Sequence, residues 1–307
     1  MGICFGGLTA TPCSVLVNNW FGGKCKGLAL GLVFSGTSVL AMGLIPLVNH
    51  ITIISGWRTA YLFIAAGILV ICAPLVLIFV KWSPAEKGLK RMGESEQEMK
   101  EDSLEKSGIP FSVARKKLST WMMFFSGTLL VIASSAMLTH TQAFLQMSGY
   151  SPTFAANVMS GMIGALVLGG ILVGAYCDRF NLKYAAVTTG ILFAVAYLAQ
   201  LFIPQFGWFI GVLIVCYGFG CTAVNIVPPL IANHMFGEKE LSTYIGYINI
   251  FIGIGGALGS TLVGKLFDYT GSYTIPFIVC AILLLLTALI RGIVTSEKYK
   301  FIPDIKK

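Results

Sequence analysis

Charged residues divide the chain into long uncharged runs: Leu28 to Trp57, Thr59 to Val80, Leu118 to Cys177, Tyr184 to Gly237, Leu241 to Gly264 and Tyr269 to Ile290. A helix that crosses a bilayer needs about 20 consecutive apolar residues, so several of these runs hold two crossings. Gly- and Pro-containing stretches split the longest ones, "QMSGYSPT" at 146–153 and "IPQFG" at 203–207, because these residues punctuate helices. The pattern predicts nine spans, near 2–17, 28–50, 59–80, 119–144, 153–176, 184–203, 207–235, 241–264 and 273–294. The expected fold class is therefore an all-α membrane protein.

Composition agrees with the pattern. Of the 307 residues 56% are hydrophobic and 11% charged, whereas soluble globular chains carry about a quarter of their residues as Asp, Glu, Lys and Arg. The first run does not resemble a secretory signal, since no Lys or Arg precedes Lys24 to supply a positive leading segment. Eight cysteines are scattered without a paired spacing that would suggest zinc or redox chemistry, so no metal and no cofactor are expected.

A formal charge of +8 raises the question of nucleic acid, and its location answers it. If loops alternate sides, the segments 18–27, 81–118, 177–183, 236–240 and 291–307 share one side and hold 19 of the 21 Lys and Arg residues. The other side has Arg58 and Lys265. That asymmetry follows the rule that positive loops stay inside, which places the C-terminus in the cytoplasm and the N-terminus outside. The basic excess sets orientation in a multi-pass protein of the plasma membrane; no nucleic-acid partner is implied. The long loop 82–118, dense in both signs of charge, reads as a linker that is either a surface helix or disordered.

The chain also repeats itself. A shift of 215 residues aligns Phe21-Gly22 with Phe236-Gly237, Lys24 with Lys239, Gly31 with Gly246, Gly56 with Gly271 and Thr59 with Thr274. With one residue of slippage, Phe5-Gly6 meets Phe219-Gly220. Three spans before the linker thus echo the last three after it, the internal repetition expected of transporter folds. Residues 119–203 find no counterpart in the first half. The expected organisation is residues 1–81 as the last three helices of an N-terminal bundle, 82–118 as a cytoplasmic linker, and 119–307 as a six-helix C-terminal bundle with a cytoplasmic tail.

"GAYCDRFNLK" (174–183), on a cytoplasmic turn after the second span of the second half, resembles the loop motif of the major facilitator superfamily. Gly174, Asp178 and Arg179 match, and Lys183 matches more loosely. The resemblance implies the major facilitator fold, incomplete, with nine of twelve transmembrane helices. It also implies a gate role for those residues, in which the Asp caps and ion-pairs across the gap between helices. "NNWFGGKCKGLALGLVFSG", "SGWRTAYLFIAAG", "SPAEKGLK" and "SGIPFSVARKKLSTWMMFF" are similar to the oxalate/formate antiporter and monocarboxylate porter branch. That similarity implies a secondary transporter moving a small solute, a small organic anion, by alternating access, here as a truncated form lacking the first three helices and a monomer when complete. Carboxylate-binding members of this branch typically place an Arg in the span equivalent to 153–176, some with a Lys in the span equivalent to 241–264, and here both are uncharged.

In this fold the first and fourth helices of each half line the central cavity, which directs attention to spans 2–17, 119–144 and 207–235. Their polar residues are the candidates. Thr9 and Thr11 sit beside Pro12, where hydroxyls also repair a broken helix ladder. His140 and Gln142 lie toward the outer end of span 119–144, where a neutral imidazole can relay a proton or sit at the interface. Tyr217 and Asn225 lie near mid-depth in span 207–235, and Asn225 can donate and accept hydrogen bonds toward either a solute or a neighbouring helix. Tyr247 and Asn249 complete the set, their facing undecided. Zinc-protease spacing, Ser/His pairs and paired carboxylates are absent from the spans, so an enzyme is not expected. The competing reading is a regulatory or structural partner of another membrane protein.

Overall fold

The computed structural model describes residues 10–22, 25–89, 91–92, 108–237 and 239–296. Helix α1 covers Ala10–Trp20 and α2 covers Lys26–Gly67. A π-turn, Ile68–Cys72, leads into α3, Ala73–Phe79. After a 3-10 turn at Pro84–Lys87 and the short α4, Phe111–Ala114, six long helices follow. They are α5 (Leu118–Met147), α6 (Pro152–Arg179), α7 (Leu182–Phe202), α8 (Phe209–Phe236), α9 (Leu241–Thr270) and α10 (Thr274–Val294).

Among the described residues seven helical segments are long and apolar enough to cross a membrane, Ile54–Phe79 and the six from α5 to α10, and Lys26–Ala41 is a shorter apolar helix. The expected first span, 2–17, is described only from Ala10 and runs on to Trp20. The expected second and third spans are not separated by a loop. A single helical run carries both, broken at Gly56, whose φ of 82° and ψ of 162° suit a residue without a Cβ. The chain must double back there. A straight helix from Lys26 to Phe79 would be about 80 Å long, yet the Lys81 carbonyl accepts a bond from the Trp20 indole at 2.8 Å.

The linker departs from the expectation of a free surface segment. Residues 93–107 lie outside the described part, and both described ends are docked. At the first end, Met92 N–H donates to the Trp20 carbonyl at 3.0 Å and Gly22 N–H donates to Met92 at 2.8 Å. At the second, Ile109 N–H donates to the Phe236 carbonyl at 2.9 Å, Phe111 N–H donates to the Glu240 carboxylate at 2.7 Å, and the Tyr244 hydroxyl donates to the Ile109 carbonyl at 2.9 Å. Phe111 stacks on Tyr247 with centroids 4.3 Å apart. The turns so clamped, Phe21-Gly22 and Phe236-Gly237, are the two copies of the repeated phrase. We call this end of the molecule the linker face.

The C-terminal bundle packs α5 on α9, α6 on α8, and α7 between α8 and α10. Its interior holds two apolar groups. One, toward the linker face, includes Phe124, Met235, Phe236 and Ile245; the other, toward the far face, includes Met137, Leu145, Phe193 and Phe277. Across the halves, α2 packs against α6 and α1 against α9. Arg291, inside the expected last span and counted among the charges of the basic side, lies in the last turn of α10 and is fully buried.

Candidate functional site

The halves meet along a seam near the linker face. On α2, Gly27, Gly31 and Ser35 recur at four-residue spacing and share one helix face; on α6, Gly170, Gly174 and Asp178 do the same. A Cβ on Gly27 would stand 2.6 Å from the Gly174 carbonyl oxygen, and one on Gly31 would collide with the carbonyl of Gly170. Small residues at this spacing let two membrane helices approach backbone to backbone. The Ser35 hydroxyl ends the row by donating to the Val167 carbonyl at 2.9 Å.

Asp178 latches the linker end of the seam. Its Oδ1 accepts from Gly27 N–H at 2.7 Å and its Oδ2 from Leu28 N–H at 2.6 Å. Helix α2 starts at Lys26, and its own N-cap residue, Cys25, makes no side-chain cap bond. A carboxylate from the other half therefore supplies acceptors that the first turn lacks. Its negative charge also faces the positive end of the α2 dipole. Of the two roles the loop motif implies, capping is the one the geometry displays. Gly174 serves in the seam, and Arg179 is exposed at the linker face.

Past Ser35, a Cβ on Gly36 or Gly43 would meet open space, and Val39, Leu40 and Leu44 are exposed. The bonds and backbone approaches described between α2 and α6, from Asp178 to Ser35, lie in the half of α2 nearest the linker. Beside the latch, α1, α2, α8 and α9 enclose a small cavity with room for about one water molecule.

The other candidates scatter. Thr9 lies outside the described residues, and the side chain of Thr11 is likewise outside them. Asn225 is exposed on α8, four and eight residues before Pro229 and Asn233, which line the small cavity, so all three share the α8 face turned to the other half. Tyr217 is buried inside the C-terminal bundle, edge-on to Phe193 at 5.7 Å, with its hydroxyl beside the Cys221 thiol. His140 bridges three elements: Nε2 donates to the Ser260 carbonyl at 3.0 Å, which leaves Nδ1 to accept from the Tyr273 hydroxyl at 3.4 Å. Gln142 is exposed at the far end of α5. Tyr247 packs on the docked linker at Phe111, and Asn249 is half-buried and bonded. The structure thus brings Gly174 and Asp178 together in the seam, leaves Asn225 exposed on α8, and sends Tyr217, His140 and Tyr247 elsewhere.

Gly27, Gly31, Ser35 and Gly170 belong to the seam and were not among the sequence candidates. Their signal was present as Gly-x-x-x-Gly spacing at 27–31 and 170–174.

The sequence matches the family model described as the Major Facilitator Superfamily over residues 1–230 and 148–301. It is 25% identical to monocarboxylate transporter 12 of Mus musculus over 318 residues, covering 95% of this chain and 64% of that protein. It is also 25% identical to monocarboxylate transporter 13 of Rattus norvegicus over 288 residues, covering 91% of this chain and 61% of that one. The chain therefore spans a little under two thirds of the length of these relatives. Among solved structures, FucP, a major facilitator transporter described in the outward conformation, superposes with a TM-score of 0.60 at 16% identity, covering 94% of this chain and 72% of FucP. The helical architecture, the internal repeat and the family match agree, and the chain belongs to the Major Facilitator Superfamily of membrane transporters.

Proposed function

We propose that the chain moves a small organic anion of the monocarboxylate class by alternating access, and that the described arrangement is closed toward the cytoplasm. The observation that carries this reading is the seam: α2 and α6 are latched at the linker face by Asp178 and meet backbone to backbone along the glycine row up to Ser35. With 19 of 21 basic residues on the linker side, that face is the cytoplasmic one. The substrate class rests on the names of the monocarboxylate relatives and on the similar phrases in the sequence.

In this reading the halves stand apart at the far face, and the solute enters between them there. Asn225, exposed at mid-helix on the face of α8 turned to the other half, offers a donor and an acceptor to it. Release to the cytoplasm requires the Gly27 and Leu28 N–H groups to leave Asp178 and the glycine row to separate. Opening one end while the other closes follows from rocking two rigid bundles about the region between them.

The test is counterflow in proteoliposomes. Vesicles containing the full chain and preloaded with unlabelled lactate should accumulate external labelled lactate transiently, and acetate should compete. Labelled fucose and labelled glycine serve as solutes of other classes. Accumulation of either in place of lactate would overturn the substrate class, and no counterflow with any of the three would overturn the transport reading of this chain.

A further inference from the structure

The small cavity beside the latch carries a second observation, which lies in the repeat. Its lining includes Ser14 and Asn18 from α1, Lys26 from the start of α2, Pro229 and Asn233 from α8, and Leu241 from the start of α9. The 215-residue offset that aligns the two halves maps Ser14 onto Pro229, Asn18 onto Asn233 and Lys26 onto Leu241. Six of the nine lining residues therefore form three repeat-related pairs, and the cavity sits where the two halves face each other.

The pairs are chemically unequal. Asn18 and Asn233 are identical amides, one from each half. The N-terminal half adds a hydroxyl and an ammonium, Ser14 and Lys26, where the C-terminal half has Pro229 and Leu241. Each wall thus carries one amide; the N-terminal wall adds the hydroxyl and the ammonium beside Val17 and Leu30, and the C-terminal wall adds the apolar surfaces of Pro229, Leu230 and Leu241. The first turns of α2 and α9 converge there with the last turns of α1 and α8, so the helix dipoles offset one another and the Lys26 ammonium sets the sign of the site. The Ser14 side chain supplies the independent pointer to a ligand: it is 2% exposed, and its hydroxyl has no hydrogen-bond partner. A buried hydroxyl without a partner is costly, so its place on a cavity wall calls for an occupant.

We propose that Ser14, Asn18, Lys26 and Asn233 form a cytoplasmic exit site for the carboxylate of a short aliphatic monocarboxylate, whose alkyl end lies against Pro229 and Leu241. The proposal rests on the monocarboxylate reading and adds the place where the anion is held as it leaves. In the latched arrangement the space is reduced to about one water molecule; separation of the halves widens it. It also supplies the cation that the uncharged spans 153–176 and 241–264 do not. An anion in a low-dielectric passage needs one.

The test measures binding of sodium butyrate, sodium acetate and neutral 1-butanol to the full chain in lipid nanodiscs, by saturation-transfer NMR titration, in wild type and four variants. Lys26→Gln should weaken butyrate by about tenfold or more, since it removes a charge-assisted contact, and Lys26→Arg should keep most of the affinity. Ser14→Ala should weaken butyrate several-fold while leaving the thermal unfolding midpoint unchanged or higher, because it removes a hydroxyl that has no partner. A hydroxyl with a purely structural role would not split the two readouts that way. Leu241→Ala should narrow the preference for butyrate over acetate, by up to about fourfold per methylene, and 1-butanol should respond to none of the polar variants. Butyrate bound equally by wild type, Ser14→Ala and Lys26→Gln would remove this site and leave the substrate class standing. Failure of wild type to bind either carboxylate would remove the substrate class and the site with it.

Discussion

Replacing Asp178 by Ala tests whether the seam is a gate. The substitution deletes the acceptors of the Gly27 and Leu28 N–H groups and the only charge aimed at the first turn of α2 from α6. Hydrogen bonds to charged groups contribute about 1.5–3 kcal/mol each, and a helix cap about 1 kcal/mol. Asp178 is half-exposed and water can replace part of what is lost, so a net value of about 2 kcal/mol is the reasonable expectation. That corresponds to a shift of roughly 30-fold in the ratio of latched to unlatched forms. Hydrogen exchange of the peptide that contains Gly27 and Leu28 reads it directly: those amides should exchange roughly 30-fold faster in the variant, while amides of α7, deep in the C-terminal bundle, stay at the wild-type rate. Asp178→Asn keeps one carbonyl acceptor without the charge and should fall between. Unchanged exchange at Gly27 and Leu28 would refute the latch, and acceleration across α7 as well would mean that the substitution unfolds the bundle rather than opening a gate.

Three further outcomes follow from the same geometry. Gly31→Val places branched carbons against the Gly170 carbonyl; in a background without native cysteines it should lower cross-linking between Ser35→Cys and Val167→Cys several-fold, and an unchanged yield would mean that the seam tolerates bulk. Glu240→Ala removes the acceptor of the Phe111 N–H and should speed tryptic cleavage at Arg115–Lys117 by about tenfold, the equivalent of one charged hydrogen bond. Single cysteines at 95–105 should react with an impermeant reagent only from the cytoplasm and those at 148–151 only from outside; the reverse pattern would invert the assigned orientation.

The helices were legible because a bilayer imposes one rule that runs of uncharged residues report directly: every backbone polar group is satisfied inside the segment. That rule says nothing about turns made without charge or a multi-residue loop, so the reversal at Gly56 reads in the sequence only as a glycine between apolar stretches. The last span, 273–294, agrees with α10 and contains Arg291, but a charge in the closing turn of a span carries no sign of its burial; the packing of the surrounding apolar helix takes the guanidinium into the bundle. Asp178 was found from its loop pattern, but its partners are backbone amides 150 residues away, and amides carry no side-chain identity to search for. Tyr217 and Tyr247 illustrate the ambiguity of polar aromatics in apolar helices. One packs inside a bundle and the other under the linker, and helical periodicity assigns no direction to a span that is apolar all round.

The duplication gives the latch its leverage. The starts of α2 and α9 are equivalent under the 215-residue offset, and both lack a side-chain cap bond from their own N-cap residue. The start of α2 is capped by Asp178, while Glu240 at the start of α9 is turned away to hold Phe111 N–H of the linker. Two equivalent helix ends thus carry unlike attachments: one binds the halves to each other, the other binds the C-terminal half to the strand that leads back to the N-terminal half. Releasing Asp178 frees the seam but leaves the linker docked at Phe21-Gly22 and Phe236-Gly237, so the halves can part at the linker face only as far as residues 92 to 108 allow. A segment of this length reaches about 50 Å when extended, far more than a gate needs. The linker therefore sets no limit on opening, and in the transport reading proposed above the cost of opening falls on the contacts between the halves: the Asp178 latch, the row of glycines and the packing of α1 on α9.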